Sequence, residues 1–127
     1  MKIEHIALWT NDLEQMKIFY MKYFKGIVNE KYENKFKQFE SYFLKFEGDT
    51  RIELMRKPEL NENEAKLATY GFVHFAFSVG SKEEVIELTE ILRHDGYVIY
   101  SEPRLTGDGY FESSILNPEG NLIEITI

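Results

Sequence analysis

The strongest constraint on this chain is an order of elements that occurs twice. An alternating stretch around His5 is followed by a helical pattern, and then by short apolar runs that close on Arg51-Ile52-Glu53-Leu54. The same order restarts around His74 and closes on Leu122-Ile123-Glu124-Ile125. His5 and His74 are 69 residues apart, and the step from histidine to glutamate is 48 residues in the first half and 50 in the second. Duplication of one βαβββ unit accounts for all three spacings. The expected architecture is α+β, a single domain over 1–127 with one module at 1–57, a linker at 58–70 and a second module at 71–127.

The local signals support each unit. In the first half His5 falls mid-strand, sharing a face with Ile3, Ala7 and Trp9. Asn11 or Asp12 caps a helix with apolar positions Leu13, Met16, Phe19/Tyr20 and Tyr23/Phe24, and Gly26 is expected to stop it. Strands are predicted at Ile27–Tyr32, Phe39–Phe46 and Arg51–Met55, the last two joined by a turn at Gly48-Asp49. The segment 58–70 is acidic and breaks the pattern. In the second half a strand at Phe72–Val79 precedes a Ser81/Glu84 capping box and a helix with Val85, Leu88/Thr89 and Leu92 on one face, ended by Asp95-Gly96. Strands follow at Tyr97–Tyr100, Tyr110–Leu116 and Asn121–Ile127, with a loop at Glu102–Gly109 and a turn at Asn117–Gly120.

Composition narrows the chemistry. With 127 residues and 43% of them hydrophobic, the chain has material for one core. The absence of cysteine excludes disulfides, thiolate metal sites and a cysteine nucleophile, so a metal must be held by Asp, Glu or the three histidines. A net charge of −7 opposes a nucleic-acid partner. No apolar run reaches the roughly 20 residues of a membrane helix, and the opening MKIEHIALWT has no signal-peptide core. A cytoplasmic location is expected. Neither a P-loop nor a GxSxG motif is present.

Strand periodicity turns Glu53 away from Ile52 and Leu54, and Glu124 away from Ile123 and Ile125. A carboxylate that interrupts an apolar strand needs a partner. Each of the four residues taken alone has a plainer explanation, a hydrogen-bonded histidine or a salt-bridged glutamate. Four of them at repeat-equivalent places point to a shared cation, a His2Glu2 set suited to Zn, Ni, Co, Mn or Fe. His94 stands in the last turn of a helix, where an imidazolium favours the dipole, and carries no function.

The segments EHIALWTNDLEQMKIFYMKYF, RIELM, GFVHFAFSV and GDGYFESSILNPEGNLIEI resemble a single-domain member of the vicinal-oxygen-chelate superfamily, which includes glyoxalase I, methylmalonyl-CoA epimerase, fosfomycin- and bleomycin-resistance proteins and extradiol dioxygenases. The resemblance implies paired βαβββ modules forming a cupped mixed sheet around a divalent metal, with His5, Glu53, His74 and Glu124 as ligands. Zinc and nickel head the expected metals, followed by cobalt, manganese and iron. A carboxylate at Glu53 favours the glyoxalase I-like branch, because the dioxygenases and fosfomycin enzymes take no ligand from that place. Trp9 occupies the position where glutathione-dependent relatives carry an arginine, so a glutathione adduct fits poorly, and Trp9 is instead a candidate substrate wall.

The implied activity is that of a metal-dependent lyase or isomerase, similar to lactoylglutathione lyase. It acts on a small α-hydroxycarbonyl or hemithioacetal-type substrate, whose vicinal oxygens chelate the metal while a proton moves through an enediolate. Glu124 is the expected base and Glu53 its partner. Two further readings compete. One is an Fe(II) ring-cleaving dioxygenase using His5, His74 and Glu124. The other is a non-catalytic protein that sequesters a small molecule or antibiotic, suggested by 19 aromatic residues that are more simply core. The family also implies a homodimer.

Overall fold

The computed structural model describes residues 3–58, 72, 74–107 and 109–127. The chain divides into two compact units, Met1–Glu62 and Asn63–Ile127, each a mixed sheet with one helix. Most of segment 58–70, the expected linker, lies outside the described residues.

In the first unit β1 (His5–Trp9) leads into α1 (Leu13–Phe24), followed by β2 (Ile27–Val28), β3 (Tyr32–Asn34), β4 (Phe39–Lys45) and β5 (Arg51–Arg56). The sheet order is β1-β5-β4-β2, with β3 also on β4. β1 runs parallel to β5, and the other pairings are antiparallel. Asp12 caps α1 by accepting from the Gln15 N–H at 2.9 Å. The helix buries Leu13, Met16, Phe19, Tyr20, Tyr23 and Phe24 and packs on β4 and β5, where Leu44, Ile52 and Leu54 are also buried. That burial, rather than helix propensity, holds the helix on the sheet.

Two local expectations are corrected here. The left-handed residue that ends α1 is Lys25, at φ 55, and not Gly26. Gly26 is needed for room, since a Cβ there would stand 2.9 Å from Leu44 Cδ2 and 3.2 Å from the Tyr20 carbonyl oxygen. The strand expected over Ile27–Tyr32 is two strands, because the pairing with β4 slips by one residue between Val28↔Leu44 and Tyr32↔Ser41. Asn29 sits at the slip, its backbone N–H donating to Phe43 O and its side-chain oxygen accepting from Phe43 N–H at 2.7 Å. A side chain that takes a ladder hydrogen bond in this way makes a bulge.

In the second unit β6 (His74–Ser78) leads into α2 (Lys82–His94), then β7 (Ile99–Leu105), β8 (Phe111–Leu116) and β9 (Leu122–Thr126), in sheet order β6-β9-β8-β7. β6 runs parallel to β9, as β1 does to β5. Ser81 caps α2 by accepting from Glu84 N–H at 3.2 Å. Val85, Thr89 and Leu92 are buried, as are Ile115, Ile123 and Ile125 of the strands α2 packs on. Thr89 Oγ1 donates to the Val85 carbonyl at 2.6 Å and lies 2.6 Å from Ser113 Oγ, so this buried hydroxyl pair is satisfied. Asn117 builds the β8–β9 turn, its side-chain oxygen accepting from the N–H groups of Glu119 and Asn121.

The loop expected over Glu102–Gly109 is corrected as well, since β7 runs on to Leu105 through Pro103. β7 is an edge strand, and its register with β8 shifts twice, between Ile99 and Ser101 and again before Arg104. An edge with bulges accommodates a proline, whose missing N–H costs no central ladder bond. Among the described residues no helix is long and apolar enough to cross a membrane.

Candidate metal and substrate site

His5 and His74 are the first residues of β1 and β6, and not mid-strand as expected. Their positions are nevertheless equivalent. In the parallel ladders His5 pairs with Arg51 and Ala7 with Glu53, while His74 pairs with Leu122 and Ala76 with Glu124. Each glutamate is thus the diagonal neighbour of its histidine on the sheet face away from the helix.

The side chains meet. His74 Nε2 is 3.1 Å from Glu124 Oε2, and His5 Nε2 is 3.9 Å from Glu53 Oε2. The carboxylates are mostly covered, with side chains 17% exposed at Glu53 and 20% at Glu124, whereas the imidazoles are 40% and 36% exposed. Each unit therefore presents one imidazole nitrogen beside one carboxylate oxygen, a donor pair suited to a borderline divalent ion. Among the described residues no group of three or more His, Asp or Glu side chains forms a metal cluster within either unit.

The surroundings of His5 are built further. Its Nδ1 contacts the Glu4 carboxylate, which also pairs with Arg51. The contact with His5, helped by Arg51 and opposed by desolvation, holds the Glu4 carboxyl below its ordinary value. A carboxylate on one ring nitrogen fixes the ring and directs the other nitrogen outward, as an outer partner of a metal-binding histidine does. Phe43 meets the His5 ring edge to face at 5.5 Å, and the Arg51 guanidinium lies 4.3 Å from the Phe43 centroid.

Trp9 lies on the His5 face of β1 and is 45% exposed. It meets Phe39 edge to face at 6.2 Å, and Phe39 in turn meets Tyr32 at 6.1 Å. Lys57 Nζ stands 5.0 Å from the Trp9 ring centroid.

One acid of the second unit escaped the sequence reading. Glu112 on β8 pairs with Thr126, next to the Ser114↔Glu124 pair, so it shares the face of Glu124. Its side chain is 15% exposed, and its Oε1 lies 3.5 Å from Arg104 Nη2. The signal was available in the parity of β8, where Glu112, Ser114 and Leu116 alternate with Ser113 and Ile115. It lacks a counterpart in the first unit, where Ser41 pairs with Met55, so a search for repeat-matched residues passes over it.

The fold has known relatives. Glyoxalase I from Zea mays matches with a TM-score of 0.82 at 21% identity, over 98% of this chain and 44% of that one, so the present chain spans less than half of the maize protein. A trypanothione-dependent glyoxalase I from Leishmania major matches with a TM-score of 0.79 at 20% identity, over 99% of this chain and 86% of that one. A glyoxylase/bleomycin resistance protein/dioxygenase domain from Frankia sp. EAN1pec matches with a TM-score of 0.85 at 15% identity, over 100% and 97% of the two chains. At such identities the likeness is one of fold. A search of curated proteins gives no significant match. The sequence profile of one family covers residues 2–125, and the chain belongs to that family, the Glyoxalase/Bleomycin resistance protein/Dioxygenase superfamily.

Proposed function

We propose that this protein is a metal-dependent lyase or isomerase of the glyoxalase I type, acting on a small α-hydroxycarbonyl or hemithioacetal-type substrate. The observation that carries the reading is the matched pair of contacts, His5 with Glu53 and His74 with Glu124, at equivalent positions of equivalent ladders. His5, Glu53, His74 and Glu124 are the proposed ligands of a divalent ion, zinc or nickel before cobalt, manganese or iron. Such an ion supplies a Lewis acid that makes the C–H beside a chelated carbonyl acidic.

The protein's own groups do the rest. Glu124 is the proposed base, taking the proton from one carbon and returning it to the next, with Glu53 as its proposed partner. Both carboxylates are mostly covered, which limits competition from water. Glu4 and Arg51 fix the His5 ring. Trp9 stands in place of a guanidinium on β1, so substrate contact there is apolar rather than a carboxylate clamp. A cytoplasmic homodimer belongs to the same reading.

The test is turnover of methylglyoxal hemithioacetals by the zinc- or nickel-loaded protein, with several thiols and with none. Isomerisation that is lost on chelation and in Glu124→Gln supports the proposal. Oxygen uptake with a catechol and Fe(II), persisting in Glu53→Ala, would replace it with a dioxygenase.

A further inference from the structure

The two helices carry opposite chemistry on their outward faces. Their N-caps, Asp12 and Ser81, are 69 residues apart, the same interval that separates His5 from His74. That interval pairs buried Met16 with Val85, Tyr20 with Thr89 and Tyr23 with Leu92, so the inward faces correspond. On the outside it pairs Ile18 with Glu87, Met21 with Glu90 and Lys22 with Ile91. Three- and four-residue steps put Ile18, Met21, Lys22 and Lys25 on one side of α1, and Glu83, Ile86, Glu87 and Glu90 on one side of α2, next to Ile91. The apolar members are open to solvent, Ile18 58% exposed, Met21 41%, Ile86 46% and Ile91 45%.

Ion pairs within each unit sharpen the contrast. Glu14, the acid of α1, is already matched by Lys17 and Lys31. Arg93 of α2 is engaged by Glu90 and Glu102, and among the described residues Glu83 and Glu87 have no ion pair. One outward face is therefore basic and apolar, the other acidic and apolar.

The net charge is divided in the same sense. Residues 1–62 hold 11 Lys and Arg against 11 Asp and Glu, whereas residues 63–127 hold 4 against 11, so the whole of the −7 lies in the second unit. Two copies that approach through their second units repel each other, and two first units gain nothing from net charge. The approach that charge favours is first unit to second. The apolar side chains on each face supply area to bury, and the charges beside them set the orientation.

We propose that α1 of one copy docks on α2 of a second copy, with Ile18 and Met21 against Ile86 and Ile91, and with Lys22 and Lys25 facing Glu83 and Glu87. The chain supplies both halves of this contact, which commits the surface to a second copy rather than to an unrelated protein. Faces of this size bury less than a standard interface, so the association is weak, with a Kd on the order of 10 μM, and sensitive to salt. The inference rests on the homodimer of the proposed function, to which it gives a contact, and not on its metal chemistry.

Sedimentation velocity over a range of protein concentrations tests the contact with two double variants, Ile18→Glu with Lys25→Glu on α1, and Ile86→Lys with Glu87→Lys on α2. All four residues are exposed, and circular dichroism checks the fold. The wild-type chain is expected to associate reversibly, less so at high salt, and each double variant alone to lose about tenfold or more in association. Mixing the two variants is expected to restore association, because the mixture contains one unaltered α1 and one unaltered α2. A wild-type chain that stays monomeric, an oligomer that both variants form as the wild type does, or a loss that mixing does not repair would overturn the contact. Divalent-ion content of the same samples keeps the two readings apart. Association of this kind without bound metal upholds the contact and removes support for the metal reading, and a metal-binding monomer does the reverse.

Discussion

His74 Nε2 and Glu124 Oε2 approach to 3.1 Å across the parallel β6–β9 ladder, and the histidine and glutamate of the β1–β5 ladder repeat the relationship at 3.9 Å. In each case the histidine opens its strand and the glutamate is paired with the residue two places further on. A parallel ladder puts that diagonal pair on one face, and the helix occupies the other. The pairs are thus a consequence of where the parallel strands meet.

Glu4 is expected to tune metal binding without touching the metal. Its carboxylate contacts His5 Nδ1 and is itself held by Arg51. Replacing it by glutamine should weaken divalent-ion affinity by about tenfold, the usual cost of losing an outer partner. Competition titration with a chromophoric chelator measures this. Unchanged affinity would show that the ring needs no such support.

The close approach at Gly26 should show in stability. A methyl group there meets Leu44 Cδ2 at 2.9 Å and the Tyr20 carbonyl at 3.2 Å. Gly26→Ala is expected to destabilise the fold by about 1–3 kcal/mol in urea unfolding, through overpacking rather than backbone strain. Lys25→Gly, at the left-handed position, should be neutral or slightly stabilising.

The buried hydroxyl pair of the second unit allows a similar test. Ser113→Ala removes one partner of Thr89, whose hydroxyl still donates to the Val85 carbonyl. The expected loss is about 1 kcal/mol, because no buried donor is orphaned. A loss several times larger would mean that packing, not the hydrogen bond, is being changed.

Glu14 links folding to pH in the first unit. The Lys17 ammonium foremost, then the Tyr42 hydroxyl and Lys31, hold its carboxyl below the ordinary 4.5, against a smaller opposing effect of desolvation. A folded value below the unfolded one contributes stability above the unfolded value, and that contribution is lost as pH falls through the folded value. The Glu14 side chain is 50% exposed, so screening keeps the effect under about 1 kcal/mol. Acid unfolding of Glu14→Gln should accordingly be shallower below pH 4.5 than that of the parent.

Much of this was legible because it follows from periodicity. Alternation separates Glu53 from Ile52 and Leu54, and Glu124 from Ile123 and Ile125, and the structure leaves those apolar residues buried and the glutamates mostly covered on the other face. What periodicity misses depends on side chains reaching the backbone or on crowding at a distance. Asn29 splits a strand because its amide takes a ladder bond, which its position in an apolar run does not reveal. Gly26 marks the end of α1, but its reason is Leu44, eighteen residues away. Pro103 reads as a loop until the sheet order makes β7 an edge. Glu112 was passed over because the repeat gives it no twin, although strand parity already placed it with Glu124's neighbours.

Metal analysis of the purified protein shows whether the two His–Glu pairs bind a divalent ion. One divalent ion per chain is expected by inductively coupled plasma mass spectrometry after dialysis. His5→Ala, Glu53→Gln, His74→Ala and Glu124→Gln are each expected to lower affinity by about an order of magnitude or more, with the fold intact by circular dichroism. A folded wild-type chain that retains no divalent ion, or four variants that bind it as the parent does, would show that the two pairs are not a metal site.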